Sequence, residues 1–175
     1  MHTAEYWIDR LHLLPHPEGG FYREIFRSAE IIGVDGLSKR YGSPRSTFTS
    51  IYYLLRSGDI SRLHRLKSDE LWHFFDGDPL TVHIIKPDGA YTAVTLGRRF
   101  DLGERFQALI EHGWWFGAAV DNPGSYTLVG CTVAPGFEFE DYEVGNRKVL
   151  VAAFPRHKSI IEKLTPTDPT VADTA

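Results

Sequence analysis

A short segment between Gly58 and Gly77 holds the side chains with the clearest capacity for chemistry. His64 and Glu70 lie on two apolar stretches that are joined by the turn-forming residues Lys67–Asp69. If both stretches are strands, the alternation of side chains can bring the imidazole and the carboxyl group together on one concave face. Such a pair can ligate a metal ion, or it can act as a general acid and a general base. The segment therefore predicts a metal site or an acid–base site.

Strand alternation also assigns the neighbours of this pair. Arg62 has the same parity as His64, so it is predicted to face the same cavity and to bind an anionic group through its guanidinium. Trp72 shares a face with Glu70. His73 has the opposite parity and points elsewhere unless a bulge shifts the register, and we keep it as a ligand-binding candidate for that reason.

Aromatic residues supply most of the remaining binding candidates. Trp72, Tyr53 and Trp115 are predicted to offer flat apolar surfaces on which a sugar or a base can stack. Arg23 is a further binding candidate, but it alternates with Glu24 along a predicted strand. At most one of these two side chains can therefore face the cavity.

Two flanking segments carry weaker signals. In "HPEGGFYRE", Gly19–Gly20 favours a kink at the start of a strand over a backbone contact with a ligand. In "GFEFEDYE", Glu138 and Tyr142 could reach the mouth of a cavity. Cys131 lies in the apolar run "LVGCTV", which favours a buried small side chain over a nucleophile.

Charge and hydropathy argue against two classes of partner. The formal charge is −4, and no run of lysine or arginine stands out, which disfavours a general nucleic-acid binder. No apolar stretch approaches the roughly 20 residues that a membrane-spanning helix needs, so no membrane partner is predicted. A single cysteine and a start without the features of a signal peptide predict a cytoplasmic protein.

The elements that must position these side chains are mostly strands. Short β-branched and aromatic stretches, punctuated by Gly, Pro and Asp, run from "STFTSIYYLL" to "KVLVAAF" and predict an all-β sandwich or barrel. Short helices are predicted at both ends, over Ala4–Leu13 and over "RHKSIIEKL". We predict one domain over residues 1–165 and a disordered tail over residues 166–175.

The spacing of Gly58, His64, Glu70 and Gly77 resembles the first motif of the cupin barrels. Leu66 stands where that motif has its second histidine. The second cupin motif is best placed on "EHGWWF", in which its glycine is retained and Phe116 replaces the metal-binding histidine.

Four segments together are similar to the DUF985 (Cupin_5) group of the cupin superfamily. They are "HPEGGFYRE", "TSIYYLL", "RLHRLKSDELWHFFDGDPL" and "YTLVGCTVAPGFEFEDYE". The resemblance extends from Leu14 to Pro155 and departs at Glu111, where the group usually has proline. It implies an all-β double-stranded β-helix, or jelly roll, with a pocket inside the barrel, and a homodimer as the usual assembly.

The replaced ligand positions disfavour the metal site. A catalytic metal commonly needs three or more protein ligands, and here His64 and Glu70 alone remain, so we predict no cofactor. If a metal is bound, these two residues are its predicted ligands, and His73 or His112 would have to complete the set.

The leading hypothesis is a small polar metabolite in the barrel, such as a sugar or a nucleotide-sugar derivative. His64 and Glu70 would then be the catalytic pair of a metal-free, epimerase-like or isomerase-like reaction, as the resemblance to metal-free cupin epimerases suggests. The sequence leaves open whether the protein is an enzyme. The alternatives are a non-catalytic binding or sensing module and a metal-dependent cupin with an atypical ligand set.

Overall fold

The computed structural model describes residues 2–166, which form two large antiparallel sheets, a small two-stranded sheet made of Ile31–Ile32 and Arg45–Ser46, and short helices at both ends. The strands are β1 (Leu14–Pro15), β2 (Phe21–Arg27), β3 (Ile31–Ile32), β4 (Arg45–Ser46), β5 (Thr49–Arg56), β6 (Ile60–Leu66), β7 (Asp69–Gly77), β8 (Leu80–Ile85), β9 (Tyr91–Leu96), β10 (Gln107–Ile110), β11 (Trp115–Val120), β12 (Tyr126–Ala134) and β13 (Tyr142–Val144). The helices are α1 (Ala4–Arg10), α2 (Arg147–Ala153) and α3 (Lys158–Leu164). The predicted tail, residues 166–175, lies outside the described residues except for Pro166.

The two large sheets face each other across the barrel. The six-stranded sheet has the order β1-β2-β5-β12-β7-β10, and the five-stranded sheet has the order β13-β6-β11-β8-β9. Strands β6 and β7 follow each other in the chain but belong to opposite sheets. The turn between them therefore carries the chain across the barrel, and the side chains on their inner faces approach each other from two walls.

The core lies between the sheets, with smaller clusters beneath the helices. β-Branched and aromatic side chains from both inner faces fill the barrel, because strand alternation sends every second side chain inward. One further cluster packs beneath α2 and α3, and another packs beneath α1. The cavity described below lies within the first of these clusters and thus has largely apolar walls.

One predicted strand is a helix. The segment "KVLVAAF" suggested a strand, but residues Arg147–Ala153 form α2, which begins where the side chain of Asn146 accepts a hydrogen bond from the backbone N–H of Val149. Leu150 is buried against α3, whereas Val149 is 64% exposed. The segment buries only the apolar face that carries Leu150, and a helix can bury a single face while satisfying its own backbone hydrogen bonds.

Candidate functional site

A cavity of about 330 Å³ opens on the inner face of the six-stranded sheet. Its walls come from β2, β5, β7 and β12, from β6 of the facing sheet, and from two loops. Its lining comprises His16, Glu18, Tyr22, Glu24, Arg27, Thr49, Ile51, Tyr53, His64, Leu66, Glu70, Trp72, Cys131, Val133, Phe137, Glu138 and Phe139. Both residues predicted to be catalytic therefore lie in one cavity.

His64 is a neutral imidazole in the wall of this cavity. Its side chain is 3% exposed, and its ring lies 4.1 Å from the ring of Phe116, centroid to centroid. Burial lowers the pKa of His64 to about 4, and a hydrogen bond with the backbone carbonyl of Arg62 opposes that shift only in part. Nδ1 lies 2.7 Å from this carbonyl oxygen. Because a carbonyl can only accept, Nδ1 carries the proton and Nε2 is the basic nitrogen.

Glu70 is a protonated carboxyl group at neutral pH. Burial raises the pKa of Glu70 to about 8, and the nearby Glu18 carboxyl adds to the rise. The Cys131 thiol and the Trp72 indole oppose this rise of the pKa, because both favour the ionised form of Glu70. Glu70 thus holds a proton at the pH at which His64 lacks one, so the two groups have the states of an acid and a base.

A second buried carboxyl group, Glu18, joins this pair. Its Oε2 lies 3.2 Å from the hydroxyl of Ser61, which donates to it, and 3.3 Å from Nδ1 of His64. Burial raises the pKa of Glu18 to about 8, against the effects of Ser61, Tyr142 and Arg62, so its contact with His64 is not an ion pair at neutral pH.

Sequence reasoning missed Glu18 and its neighbour His16. Both lie on the loop between β1 and β2, and Nδ1 of His16 accepts a hydrogen bond of 3.1 Å from the backbone N–H of Glu18. Burial, and then the proximity of His64, lower the pKa of His16 to about 4. A loop has no side-chain periodicity, so the pattern "HPEGG" gave no indication of which residues point inward.

The loop enters the barrel because Gly19 allows a close backbone approach. Gly19 has a φ of +111°, and a Cβ at this position would lie 2.3 Å from the carbonyl oxygen of Ile60. The hydroxyl of Tyr53 donates a 2.8 Å hydrogen bond to the carbonyl oxygen of Gly19. The kink predicted at Gly19–Gly20 thus places Glu18 beside His64.

Gly19→Ala is expected to lower the melting temperature and to displace Glu18. A non-glycine residue at positive φ alone costs about 1–3 kcal/mol, and the contact with Ile60 adds to this. The matched control is Gly103→Ala, because Gly103 has a φ of +88° but has no atom within 4 Å of the position that a Cβ would take. Equal melting temperatures for the two variants, by calorimetry, would contradict the role of the close approach.

A bulge in β6 corrects the predicted position of Arg62. Strand β11 pairs Phe116 with His64 and Ala118 with Ser61, so β6 contains one more residue than β11 across this interval. Ser61 therefore takes the inward position, and Arg62 does not line the cavity. The charge of Arg62 still acts on Glu18 and opposes the rise of its pKa.

Two predicted binding residues line the cavity. Tyr53 and Trp72 are 2% and 1% exposed, and their rings meet edge to face with centroids 5.7 Å apart. Nε1 of Trp72 is buried and forms no hydrogen bond of normal geometry among residues 2–166, although the indole lies close enough to Glu70 to favour the ionised form of that carboxyl group. Native structures rarely leave a buried N–H unpaired, so this donor is a candidate contact for a ligand.

Three other predicted binding residues lie outside the cavity. His73 is on the outer face of β7, as its parity indicated, and Nδ1 lies 3.0 Å from the side-chain nitrogen of Gln107. Trp115 packs beneath α2 and α3. Arg23 is exposed and donates to the carbonyl of Leu11, and Glu24 is the member of that pair that lines the cavity. The structure does not bring these three side chains to His64.

The rim of the cavity, which we call the mouth, is formed by Glu24, Arg27, Phe137, Glu138 and Phe139. Arg27 pairs with Glu24 at 2.9 Å and with Glu138 at 2.7 Å, and all three side chains are partly exposed. The approximate location of Glu138 agrees with the sequence-based expectation.

The residues present do not fit the usual cupin metal set. Leu66 and Phe116 occupy two positions at which the cupin motifs have metal-binding histidines, and neither side chain carries a donor atom. Within residues 2–166 no group of three or more His, Cys, Asp or Glu side chains is arranged to hold a metal ion.

A larger and more open cleft of about 810 Å³ lies elsewhere, beside α1 and Asp76. The carboxylate of Asp76 already accepts hydrogen bonds from Trp7, Tyr126 and Arg98. Burial, hydrogen bonds and ion pairs shift the pKa values of four groups in this cleft, but each group keeps its ordinary charge state at neutral pH. These groups are Asp76, Arg99, Glu104 and Tyr126. Among the described residues that line the cleft, no buried side-chain donor lacks a partner, so the smaller cavity is the better candidate site.

The two facing antiparallel sheets and the cavity between them define a cupin fold. The chain belongs to the DUF985 family of the cupin superfamily, because the family model described as "Cupin superfamily (DUF985)" matches residues 5–145. The resemblance noted in the sequence is thereby confirmed. A search of curated protein sequences returns no significant match.

Solved structures extend the comparison. A protein from Shewanella oneidensis is 39% identical, with a TM-score of 0.84 over 96% of this chain and 100% of that chain. A hypothetical protein from Leishmania major is 37% identical, with a TM-score of 0.85 over 94% of this chain and 99% of that chain. Oxalate decarboxylase from Bacillus subtilis is 16% identical, with a TM-score of 0.52 over 92% of this chain and 42% of its own, and supports the fold alone.

Across residues 2–166, every helix is too short or too polar to cross a membrane.

Proposed function

We propose that the cavity binds a small polar metabolite and that its buried acid and base groups transfer protons on this ligand without a metal. One observation carries the proposal. Two carboxyl groups that retain protons and an imidazole that lacks one line the same small cavity. Groups whose environments push their pKa values in opposite directions are typical of acid–base sites.

The chemistry that suits this arrangement is proton transfer next to a carbonyl group. Nε2 of His64 takes the proton from the carbon, the electron pair of the C–H bond moves toward the carbonyl carbon, and a carboxyl group gives its proton to the carbonyl oxygen. Glu70 or Glu18 supplies this second proton. In an isomerisation, His64 returns its proton to the former carbonyl carbon while the hydroxyl group on the adjacent carbon gives its proton to the carboxylate and becomes the new carbonyl. In an epimerisation, the other buried carboxyl group protonates the carbon from which His64 took the proton, on its opposite face, and the enol oxygen returns its proton to the first carboxylate. Exchange with solvent then restores the proton states of His64 and the second carboxyl group. Neither route changes the net redox state.

A thermal-shift screen followed by an exchange assay tests the proposal. Sugars, nucleotide sugars and organic acids are screened against the full chain, and each hit is then incubated in deuterium oxide and followed by proton NMR. Exchange of a carbon-bound proton, or conversion to an isomer, is the expected result. Binding without exchange or conversion would contradict the catalytic part and favour a binding or sensing module.

His64→Asn is expected to slow exchange by at least about 100-fold, because general base catalysis contributes about that much. His73→Asn is the matched control, since His73 lies on the outer face of β7, the strand that carries Glu70. The wild-type rate is expected to fall below a pH of about 4, where the pKa of His64 lies, and above about 8, where the pKa of Glu70 lies. Full activity of His64→Asn would show that another group is the base.

Elemental analysis of untagged protein tests the metal-free part of the proposal. Iron, manganese, nickel or zinc bound in stoichiometric amount to the wild type, and lost in His64→Asn, would contradict it. The expected result is a substoichiometric amount that is the same in both proteins.

A further inference from the structure

The wall of the cavity offers no unpaired cation. Among the lining residues within the described part of the chain there is no lysine, and Arg27 is the only arginine. Its guanidinium is held by Glu24 at 2.9 Å, by Glu138 at 2.7 Å and by the carbonyl oxygen of Phe137 at 3.1 Å. The mouth thus carries two carboxylates for one guanidinium, and its net charge is negative.

The interior offers hydrogen bonds without a net charge. Nε1 of Trp72 is a buried donor that forms no hydrogen bond of normal geometry among residues 2–166. The carboxyl groups of Glu18 and Glu70, both less than 10% exposed, and the neutral ring of His64 face the same space. These groups can donate to and accept from hydroxyl and carbonyl oxygens, and the rings of Trp72 and Tyr22 add apolar surface for the carbon skeleton.

The volume of the cavity favours a ligand with a single sugar ring. About 330 Å³ lies near the lower end of the roughly 300–1,000 Å³ that is usual for ligand pockets. A nucleotide sugar would have to leave its diphosphate at the mouth, against Glu24 and Glu138.

We propose that the cavity selects an uncharged carbohydrate of monosaccharide size and rejects the phosphorylated and carboxylated forms of the same sugar. This inference rests on the proposed function, since it names the class of polar metabolite that the same cavity binds. The acidic mouth repels the anion, and the uncharged interior lined by Glu18 and Glu70 offers no cation to neutralise it.

Anionic sugars are expected to bind weakly because the cavity would remove water from the anion without supplying an unpaired cation in its place. A phosphate inside the cavity would lose its hydration, and the one guanidinium in the described part of the wall is that of Arg27 at the mouth, which is already paired with Glu24 and Glu138. At the mouth it would meet Glu24 and Glu138, or it would have to break their contacts with Arg27. The charge of Arg62 acts on Glu18, but Arg62 does not line the cavity and so is not placed to pair with a phosphate there.

Isothermal titration calorimetry at pH 7 with matched sugars tests the inference. The full chain is titrated with D-glucose, D-galactose and D-mannose, and with the 6-phosphate and the uronate of each. At least one free sugar is expected to bind, with its phosphate and its uronate weaker by about tenfold or more, as close like charges require. An anionic form that binds as tightly as its free sugar would overturn the inference, as would the failure of all these compounds.

The outcome separates this inference from the function on which it rests. If a compound of another class binds in the thermal-shift screen and none of these sugars binds, the proposal of a small-molecule site is retained. The inference that its ligand is a carbohydrate is then refuted. No hit of any class in that screen would refute both.

A mouth variant tests the cause of the selection. The double substitution Glu24→Gln and Glu138→Gln releases Arg27 from both carboxylates, so the phosphate is expected to gain at least about tenfold in affinity relative to the free sugar. Glu143→Gln is the matched control, because Glu143 is an exposed carboxylate that pairs with Arg65 away from the cavity. The same ratio of affinities in both variants would show that the mouth does not select by charge.

Discussion

Raising the pH from 6.5 to 8 is expected to lower the free energy of unfolding by roughly 3 kcal/mol through two buried carboxyl groups, about 1.5 kcal/mol each for Glu18 and Glu70. Both carboxyl groups have a pKa of about 8 in the folded protein and an ordinary value of 4.5. Over this interval the unfolded chain has released both protons, whereas the folded chain still holds them. Stability therefore falls as the pH rises and levels off above a pH of about 8.

The buried histidines do not obscure this window. Burial lowers the pKa values of His16, His64 and His83 from 6.5 to about 4 in the folded protein. The unfolded chain binds more protons at these positions from a pH of about 4 to about 7.5, so their contribution to stability rises with pH over that range. Each histidine adds only about 0.4 kcal/mol above pH 6.5, which partly offsets the larger fall caused by the two carboxyl groups.

Glu70→Gln isolates one of the two groups. The variant is expected to lose about half of the fall that the carboxyl groups cause and to be more stable than the wild type at pH 8, because it has no proton to release. Urea unfolding at half-unit steps of pH measures this. Glu143→Gln, at an exposed carboxylate, is expected to keep the wild-type slope. A wild-type slope in Glu70→Gln would mean that Glu70 is ionised in the folded protein.

Arg45→Ala is expected to destabilise the protein by about 3 kcal/mol or more, because it leaves a buried carboxylate without its main partner. Nε and Nη2 of Arg45 donate to the two carboxylate oxygens of Asp141 at 2.6 Å and 2.7 Å. The two side chains are 0% and 2% exposed. Lys67, whose ammonium lies 3.3 Å from Asp141, remains as a partially exposed partner.

Lys158→Ala provides the control for this substitution. Lys158 pairs with Glu162 at 3.8 Å on the surface of α3, where both side chains are exposed, so its loss is expected to change stability by less than about 1 kcal/mol. Equal losses in the two variants, by urea unfolding, would contradict the argument from burial.

The consequence of Arg45→Ala extends to the cavity. Asp141 follows the segment that supplies Phe137, Glu138 and Phe139 to the mouth. Ligand affinity is therefore expected to fall even at temperatures where the variant remains folded. Calorimetry with a ligand found in the thermal-shift screen would measure this loss.

Much of the fold could be predicted from the sequence. Alternation of apolar and polar side chains identifies strands directly, and the spacing of Gly58, His64, Glu70 and Gly77 placed the two successive strands β6 and β7 in a cupin barrel. The same alternation placed His64, Glu70 and Trp72 on inner faces and His73 on an outer face. Local geometry suffices for these assignments. The homodimer and the cytoplasmic location stay predictions.

Features that depend on contacts distant in sequence could not be predicted in this way. Strand parity assigned Arg62 to the cavity, but a bulge set by pairing with β11 gave the inward position to Ser61. The segment "KVLVAAF" is a helix because α3 covers one of its faces. Trp115 is buried, but beneath the helices rather than in the cavity.

The sequence by itself determined the barrel and placed His64 and Glu70 within reach of each other. Only the tertiary structure added Glu18, which arrives from a loop 46 residues before His64. The turn at Gly19 and the contact of that loop with Ile60 carry Glu18 into the barrel. The sequence predicted a pair of groups, whereas the structure shows a cluster, because packing brings together residues that no local pattern connects. The pKa of each group in the cluster depends on all the groups packed around it.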